Sequence, residues 1–158
     1  TRRGFGVKFV VDHMLGRLAK WLRILGYDTV YSPALDDPDL VRVSQAEDRI
    51  LLTRDTGIAR RKGVRCLLVS SDKPREQLAE VVRRCGLRLD GEAMSRCLRC
   101  NVLLEELDRD SARAHVPAYV WHSQSSFRRC PICARIYWRG THWDSMRRRI
   151  IDLEASLD

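Results

Sequence analysis

FVVDHMLGRLAKWLRILG, running from Phe9 to Gly26, changes its periodicity at Asp12. Before that residue lies a short apolar run, Val7–Val11, of the kind a buried strand needs. After it, from His13 onward, Leu15, Leu18, Ala19, Leu22 and Leu25 fall on one face of a helix, with Arg17, Lys20 and Arg23 opposite. Gly26 supplies the stop. The stretch is a strand that hands a carboxylate to the start of a helix.

The same unit recurs downstream. Thr29–Tyr31 reads as a second strand, and Asp36-Asp37-Pro38 opens a helix with Pro38 in its first turn. Ile50–Thr53 is a third strand leading to Asp55, and Val64–Val69 a fourth ending near Asp72. Pro74 starts a helix that reaches about Cys85 and ends at Gly86. Alternation of this kind predicts an α/β domain over residues 7–90, a parallel sheet with helices on both faces. Right-handed crossovers put the C-terminal ends of its strands on one edge, where ligands of open α/β sheets bind.

A chain of 158 residues with 44% hydrophobic content accommodates one domain and a small appendage. No run approaches the ~18 apolar residues of a membrane span, and no signal segment opens the chain. The expectation is a soluble, cytoplasmic protein without a membrane partner. Thr1 in place of Met is expected of a trimmed or processed form or of a piece of a longer chain, so an upstream domain stays open, as does a homo-oligomer. The net charge of +8 favours an anionic partner, nucleic acid first, although an excess of Arg over Lys also follows from genomic base composition.

Residues 91–145 differ in character. Cys97-Leu-Arg-Cys100 and Cys130-Pro-Ile-Cys133 are two C-x-x-C turns with 29 residues between them. Each presents two thiolates a metal's width apart, and together they complete a soft tetrahedral set that selects structural zinc, one Zn²⁺ per chain. The interval leaves room for a hairpin insertion, and Ala118–His122 and Ala134–Trp138 alternate like strands. His115, His122 and His142 are not needed as ligands. Residues 146–158 are a terminal helix or tail, the end of an amphipathic pattern that spans 143–157.

Asp12, Asp37, Asp55 and Asp72 each follow a strand or open the next helix, so the sheet brings them toward one edge. Converging carboxylates repel, and clustering implies a cation. Hard oxygen ligands suit Mg²⁺ or Mn²⁺, which lower the pKa of a water and polarise a phosphodiester. Asp is also a favoured helix cap, and for Asp72 the cap reading weighs at least as much as the metal reading. Asp36 is a candidate auxiliary ligand. Residues 127–149 hold seven arginines against one acid, Asp144, with Tyr137, Trp138 and Trp143 interleaved. Arg128, Arg129, Arg135 and Arg139 are therefore candidate RNA contacts, and Arg17, Arg23, Arg54, Arg60 and Arg61 are the alternative set around the acidic edge.

Phe9 to Asp28 resembles the opening of the Mut-seven C-terminal RNase family, a branch of the PIN-like nucleases. Ile50-Leu-Leu-Thr-Arg-Asp55 resembles it too, since Thr-Arg-Asp is typical of PIN domains. The two cysteine pairs followed by Gly140-Thr-His-Trp143 are similar to that family's zinc ribbon. The resemblance implies a PIN-like fold and Mg²⁺- or Mn²⁺-dependent RNA hydrolysis, with catalytic Asp12, Asp37 and Asp55, and the expected activity is that of an endoribonuclease. In one respect the chain departs from the pattern. Its first helix carries no acid before Asp28, so Asp36 or Asp72 supplies the fourth charge or the site has three ligands. The competing readings are a nucleic-acid-binding module whose aspartates are only caps, a toxin-type PIN endoribonuclease, and a receiver-type phosphoacceptor built on Asp55 and Lys73.

Overall fold

Four short strands, β1 Phe9–Val11, β2 Thr29–Tyr31, β3 Ile50–Thr53 and β4 Cys66–Leu68, pair in parallel in the order β2-β1-β3-β4. The computed structural model describes residues 6–89 and 93–157, with 141 and 142 by backbone alone. It divides into two units, residues 1–94 and 95–158. The boundary expected at residues 90 and 91 lies outside the described residues.

The periodicity break at Asp12 is a 3₁₀ turn, His13–Leu15, followed by α1, Gly16–Ile24. Leu15, Leu18, Ala19, Leu22 and Leu25 are all buried, as the apolar stripe requires. Arg23 is a correction. It is buried, and its Nε donates to the Thr29 carbonyl at 3.0 Å, so it braces β2 from inside instead of facing solvent. α2 spans Asp37–Glu47, α3 Thr56–Ala59 and α4 Pro74–Cys85. The fourth strand is shorter than its apolar run, because Val64 packs into the core without joining the ladder.

Alternation along the strands separates the two sheet faces. Val10 and Leu51, opposite each other in register, pack with Leu40 of α2 and Ile58 of α3. That leaves the other face to α1 and α4, which pack side by side. There Phe9 meets Tyr27 edge to face, with ring centroids 6.1 Å apart. Fully burying each such side chain contributes about 1.5–3 kcal/mol. At the N-terminal edge of the sheet Arg49 is buried, donating to the Phe9 and Asp28 carbonyls and pairing with Asp28 at 2.9 Å and Glu47 at 2.8 Å.

β1 runs to β2 through α1 on one face, and the chain then crosses back through α2 on the other face to β3, beyond β1. The direction of winding therefore reverses between β1 and β3. Their C-terminal ends form the switch point of the sheet.

The second unit is built on an antiparallel sheet, β5 Glu105–Leu107, β6 Phe127–Arg129 and β7 Ile136–Tyr137. Between β5 and β6 the chain forms α5, Arg109–Ala112, a 3₁₀ turn and α6, Ala118–Ser123. The insertion is thus an antiparallel pair, β5 and β6, with helices in its connection, and Ala118–His122 is helix, not strand. Val120 points inward to Ala112 and Phe127, with Trp121 and Trp138 at the margin, so the helices supply the small core a bare ribbon lacks. α7, Thr141–Leu157, buries Met146, Ile150 and Leu153 at helical spacing. No described helix is long and apolar enough to cross a membrane.

Candidate functional site

β1 ends in Val11, and the backbone N–H of Asp12 continues the ladder to the Leu52 carbonyl at 2.9 Å. The Asp12 side chain is consequently held at the switch point, 1% exposed. Its Oδ1 accepts the His13 backbone N–H at 2.8 Å and lies 3.1 Å from His13 Nδ1. Its Oδ2 accepts the Thr53 hydroxyl at 2.7 Å. The Thr53 oxygen in turn accepts the Asp55 backbone N–H at 2.9 Å. One hydroxyl at the end of β3 thereby joins the two aspartates across the switch point. The Thr-Arg-Asp triplet held this residue in plain view, but nothing in its type or spacing marks a threonine as a bridge.

Asp55 is exposed and caps α3, its Oδ1 accepting the Gly57 N–H at 2.8 Å. Asp37 is half-buried in the first turn of α2 and has no hydrogen-bond or ion-pair partner among the described residues. Asp36 is the cap of that helix, in a capping box with Asp39. That box commits one Asp36 oxygen and holds the Asp39 carboxyl below the usual range, chiefly through the backbone and side-chain bonds to Asp36 and then through Arg42. Asp72 is exposed and caps nothing, because Lys73 takes the cap position of α4. The turn there is built by Ser71, whose hydroxyl donates to Glu76 and accepts the Lys73 N–H at 3.1 Å.

No lysine or arginine pairs with Asp12, Asp37 or Asp55 among the described residues. Nor do the three draw together as a preformed cage. Among the described residues, only the cysteines gather three or more potential ligands closely enough for a metal. Arg17, Arg54, Arg60 and Arg61 are exposed. Arg54 reaches the Ser70 carbonyl at 3.4 Å.

The cysteine site is compact. The Sγ atoms of Cys97, Cys100, Cys130 and Cys133 all lie within 4.8 Å of one another, Cys97 and Cys130 fully buried. Each pair closes by the same turn. The N–H of Asn101 bonds the Cys97 carbonyl at 2.8 Å, and that of Ala134 bonds the Cys130 carbonyl at 3.0 Å. Both residues adopt the left-handed conformation, at φ 71° and φ 63°. Backbone N–H groups of Cys100 and Cys133 then point at Cys97 Sγ and Cys130 Sγ, each at 3.4 Å. Burial works against ionising Cys97, but the Tyr137 hydroxyl at 3.2 Å, the Cys100 and Arg99 N–H groups and the Cys130 thiol lower its pKa to about 6. Cys100 is pushed up to about 12 by burial and by its cysteine neighbours. A crowd of thiols that can be ionised only in part is the donor set a soft divalent cation relieves. His115 and His122 take no part in the group, and the His142 side chain lies outside the described residues.

The proposed ribbon contacts are less free than their sequence implied. In sheet register Arg128 sits opposite Glu106 and Arg129 opposite Glu105. Tyr137 serves the cysteine site, Trp138 packs on the small core, and Arg139 stacks over Trp143 with 4.9 Å to the ring centroid. Arg135 remains exposed.

A model of the Mut7-C RNAse domain family matches residues 7–150, which takes in the aspartate edge, both cysteine pairs and most of α7. No match was found among curated proteins or among solved structures. With the parallel sheet, the switch point and the four-cysteine cluster in place, the chain belongs to the Mut7-C RNAse domain family.

Proposed function

We infer that the protein hydrolyses RNA phosphodiester bonds with a Mg²⁺ or Mn²⁺ ion at the C-terminal edge of the sheet, held by Asp12, Asp37 and Asp55. The observation that carries this reading is that the carboxylates following β1, β2 and β3 have no lysine or arginine partner among the described residues: Asp12 is buried, Asp37 unbonded, and Asp55 keeps one oxygen uncommitted. The donors are hard oxygens, which fits such an ion. When bound, the ion supplies Lewis-acid activation of water and phosphate. Thr53 keeps the Asp12 carboxylate oriented, and the exposed Arg17, Arg54, Arg60 and Arg61 offer charge for the RNA backbone, with Arg128, Arg129, Arg135 and Arg139 of the ribbon as the alternative surface. The exposure of Asp36, Arg54 and Asp55 suits an internal phosphodiester, and hence endonucleolytic cleavage. The four cysteines hold zinc, and a cytoplasmic setting keeps them reduced.

Cleavage of a circular RNA by the purified chain tests the reading. Activity should require Mg²⁺ or Mn²⁺, and Asp12→Asn, Asp37→Asn and Asp55→Asn should each lose roughly a hundredfold or more in kcat with little change in RNA affinity. Asp36→Asn and Asp72→Asn should be milder. A second reading, RNA binding without cleavage, draws support from the capping bonds that Asp12 and Asp55 make. Undiminished RNA affinity with no cleavage under any cation would favour it. Zinc is tested separately by elemental analysis: one equivalent is expected in the wild type, and Cys97→Ser should lose it and expose unit 2 to protease while unit 1 stays folded.

A further inference from the structure

Gly16 opens α1 in ordinary right-handed helical backbone, φ −60° and ψ −39°. Nothing in its conformation asks for glycine, and alanine is the better helix former. The reason lies in Tyr31. A Cβ on Gly16 would stand 2.8 Å from the Tyr31 hydroxyl oxygen and 3.2 Å from the ring carbon that bears it. The hydroxyl comes so close because it donates to the His13 carbonyl at 2.8 Å. Tyr31 is the last residue of β2, so this bond ties the end of β2 to the turn by which the chain leaves β1. His13 is held at both ends, its carbonyl by Tyr31 and its N–H by the Asp12 carboxylate.

We propose that Tyr31 is a positioning residue for the divalent-cation site, fixing the Asp12 carboxylate through the backbone of His13 in the space that Gly16 leaves open. The proposal rests on the reading of the aspartate edge given above. Thr53 fixes one oxygen of Asp12 from β3, and Tyr31 fixes the turn that fixes the other. A ligand held from two strands keeps one orientation. Held only by Thr53, the carboxylate can swing with its turn, and cation affinity falls even though the protein stays folded.

The experiment measures Mn²⁺ binding to the full zinc-loaded chain by electron paramagnetic resonance, below the melting temperature of every variant, alongside RNA cleavage. Tyr31→Phe removes only the hydroxyl, and Gly16→Ala places a methyl group against it. Each should weaken Mn²⁺ roughly tenfold and lower kcat at unchanged KM. In the double variant Gly16→Ala/Tyr31→Phe the added carbon meets no hydroxyl, so the melting temperature recovers while the Mn²⁺ affinity does not. Two results would overturn the proposal: Tyr31→Phe binding Mn²⁺ within about twofold of wild type, or the double variant regaining affinity together with stability. Asp12→Asn separates the two levels. If it binds Mn²⁺ like the wild type, the cation site itself is refuted and the proposal with it. If it loses the ion and Tyr31→Phe does not, only the role of Tyr31 fails.

Discussion

The two edges of the parallel sheet handle carboxylates in opposite ways. At the N-terminal edge Asp28 and Glu47 close on a buried guanidinium, Arg49, which also satisfies two backbone carbonyls. At the C-terminal edge Asp12 is more deeply buried than either acid, yet its partners are a hydroxyl, a backbone N–H and the exposed His13 ring. Burying a charge without a counter-charge is costly, and a fold that has an arginine to spare at one end can place one at the other. The difference is the one the proposed cation site calls for. The carboxylates at the N-terminal edge are neutralised from within, and Asp12 has no lysine or arginine to do the same.

The largest effect is expected from breaking the self-contained end. Arg49→Met keeps much of the apolar stem but strips two carboxylates and two carbonyls of their donor. A side chain 8% exposed, paired with Asp28 at 28% and Glu47 at 46%, places the cost below that of a fully buried pair, at about 3 kcal/mol. Urea denaturation followed through unit 1 measures it, and Mn²⁺ affinity in the folded state should not change. A loss under 1 kcal/mol would mean that Arg49 does not organise that edge.

The opposite end should respond with the opposite sign. Asn in place of Asp12 removes the buried charge while keeping the shape, and the Thr53 hydroxyl can turn to accept the new amide. Without added divalent cation, Asp12→Asn should be as stable as the wild type or more stable, by about 1 kcal/mol. Added Mn²⁺ should reverse the order, since the ion stabilises only the chain that binds it. Paired melts with and without Mn²⁺ show this crossing. Wild type the more stable in both conditions would mean that hydrogen bonds alone satisfy Asp12.

Much of this was legible in the sequence because period and punctuation were clean. The second and third strands fall at Thr29–Tyr31 and Ile50–Thr53 as read, and Pro74 and Gly86 bracket α4. The cysteine cluster followed from spacing alone, since a C-x-x-C turn is a local structure. What was not legible depended on partners distant in the chain. Arg23 sits on the polar side of its helix by period, and only the Thr29 carbonyl beside it draws it inward. Asp72 looked like a cap because Pro74 followed, but Ser71, one residue earlier, took the turn. The Thr53 bridge needs Asp12, 41 residues away. The helical excursion between the cysteine pairs was hidden because Ala118–His122 alternates in hydropathy while packing as a single turn and a half on Phe127.

The smallest effect makes the comparison sharper, because it tests whether position alone explains the unpaired aspartates. Glu80 of α4 meets the C-terminal end of β4, on the same edge as Asp12, but is satisfied by the chain. Its carboxylate accepts the Ser70 hydroxyl at 2.7 Å and the Ser70 N–H at 3.1 Å, and it pairs with Arg84 at 3.3 Å. Burial raises its pKa, but these Ser70 bonds and Arg84 outweigh it and leave the group below the ordinary glutamate range. A folded pKa below the unfolded one stabilises the fold above the unfolded value of about 4.3, and the stabilisation is lost as pH falls through the folded pKa. Glu80→Gln should therefore cost about 1 kcal/mol or less at pH 7, with the gap to the wild type closing as the solution is acidified past that range. Amide hydrogen exchange in β4 and α4 reads the local stability without interference from the ribbon, whose thiolates would release a metal in acid. Mn²⁺ should leave the Glu80→Gln difference untouched at every pH while it reverses the Asp12→Asn difference. If Mn²⁺ moved both alike, the whole edge would behave as one diffuse acidic surface, and the distinction between paired and unpaired carboxylates would lose its functional meaning.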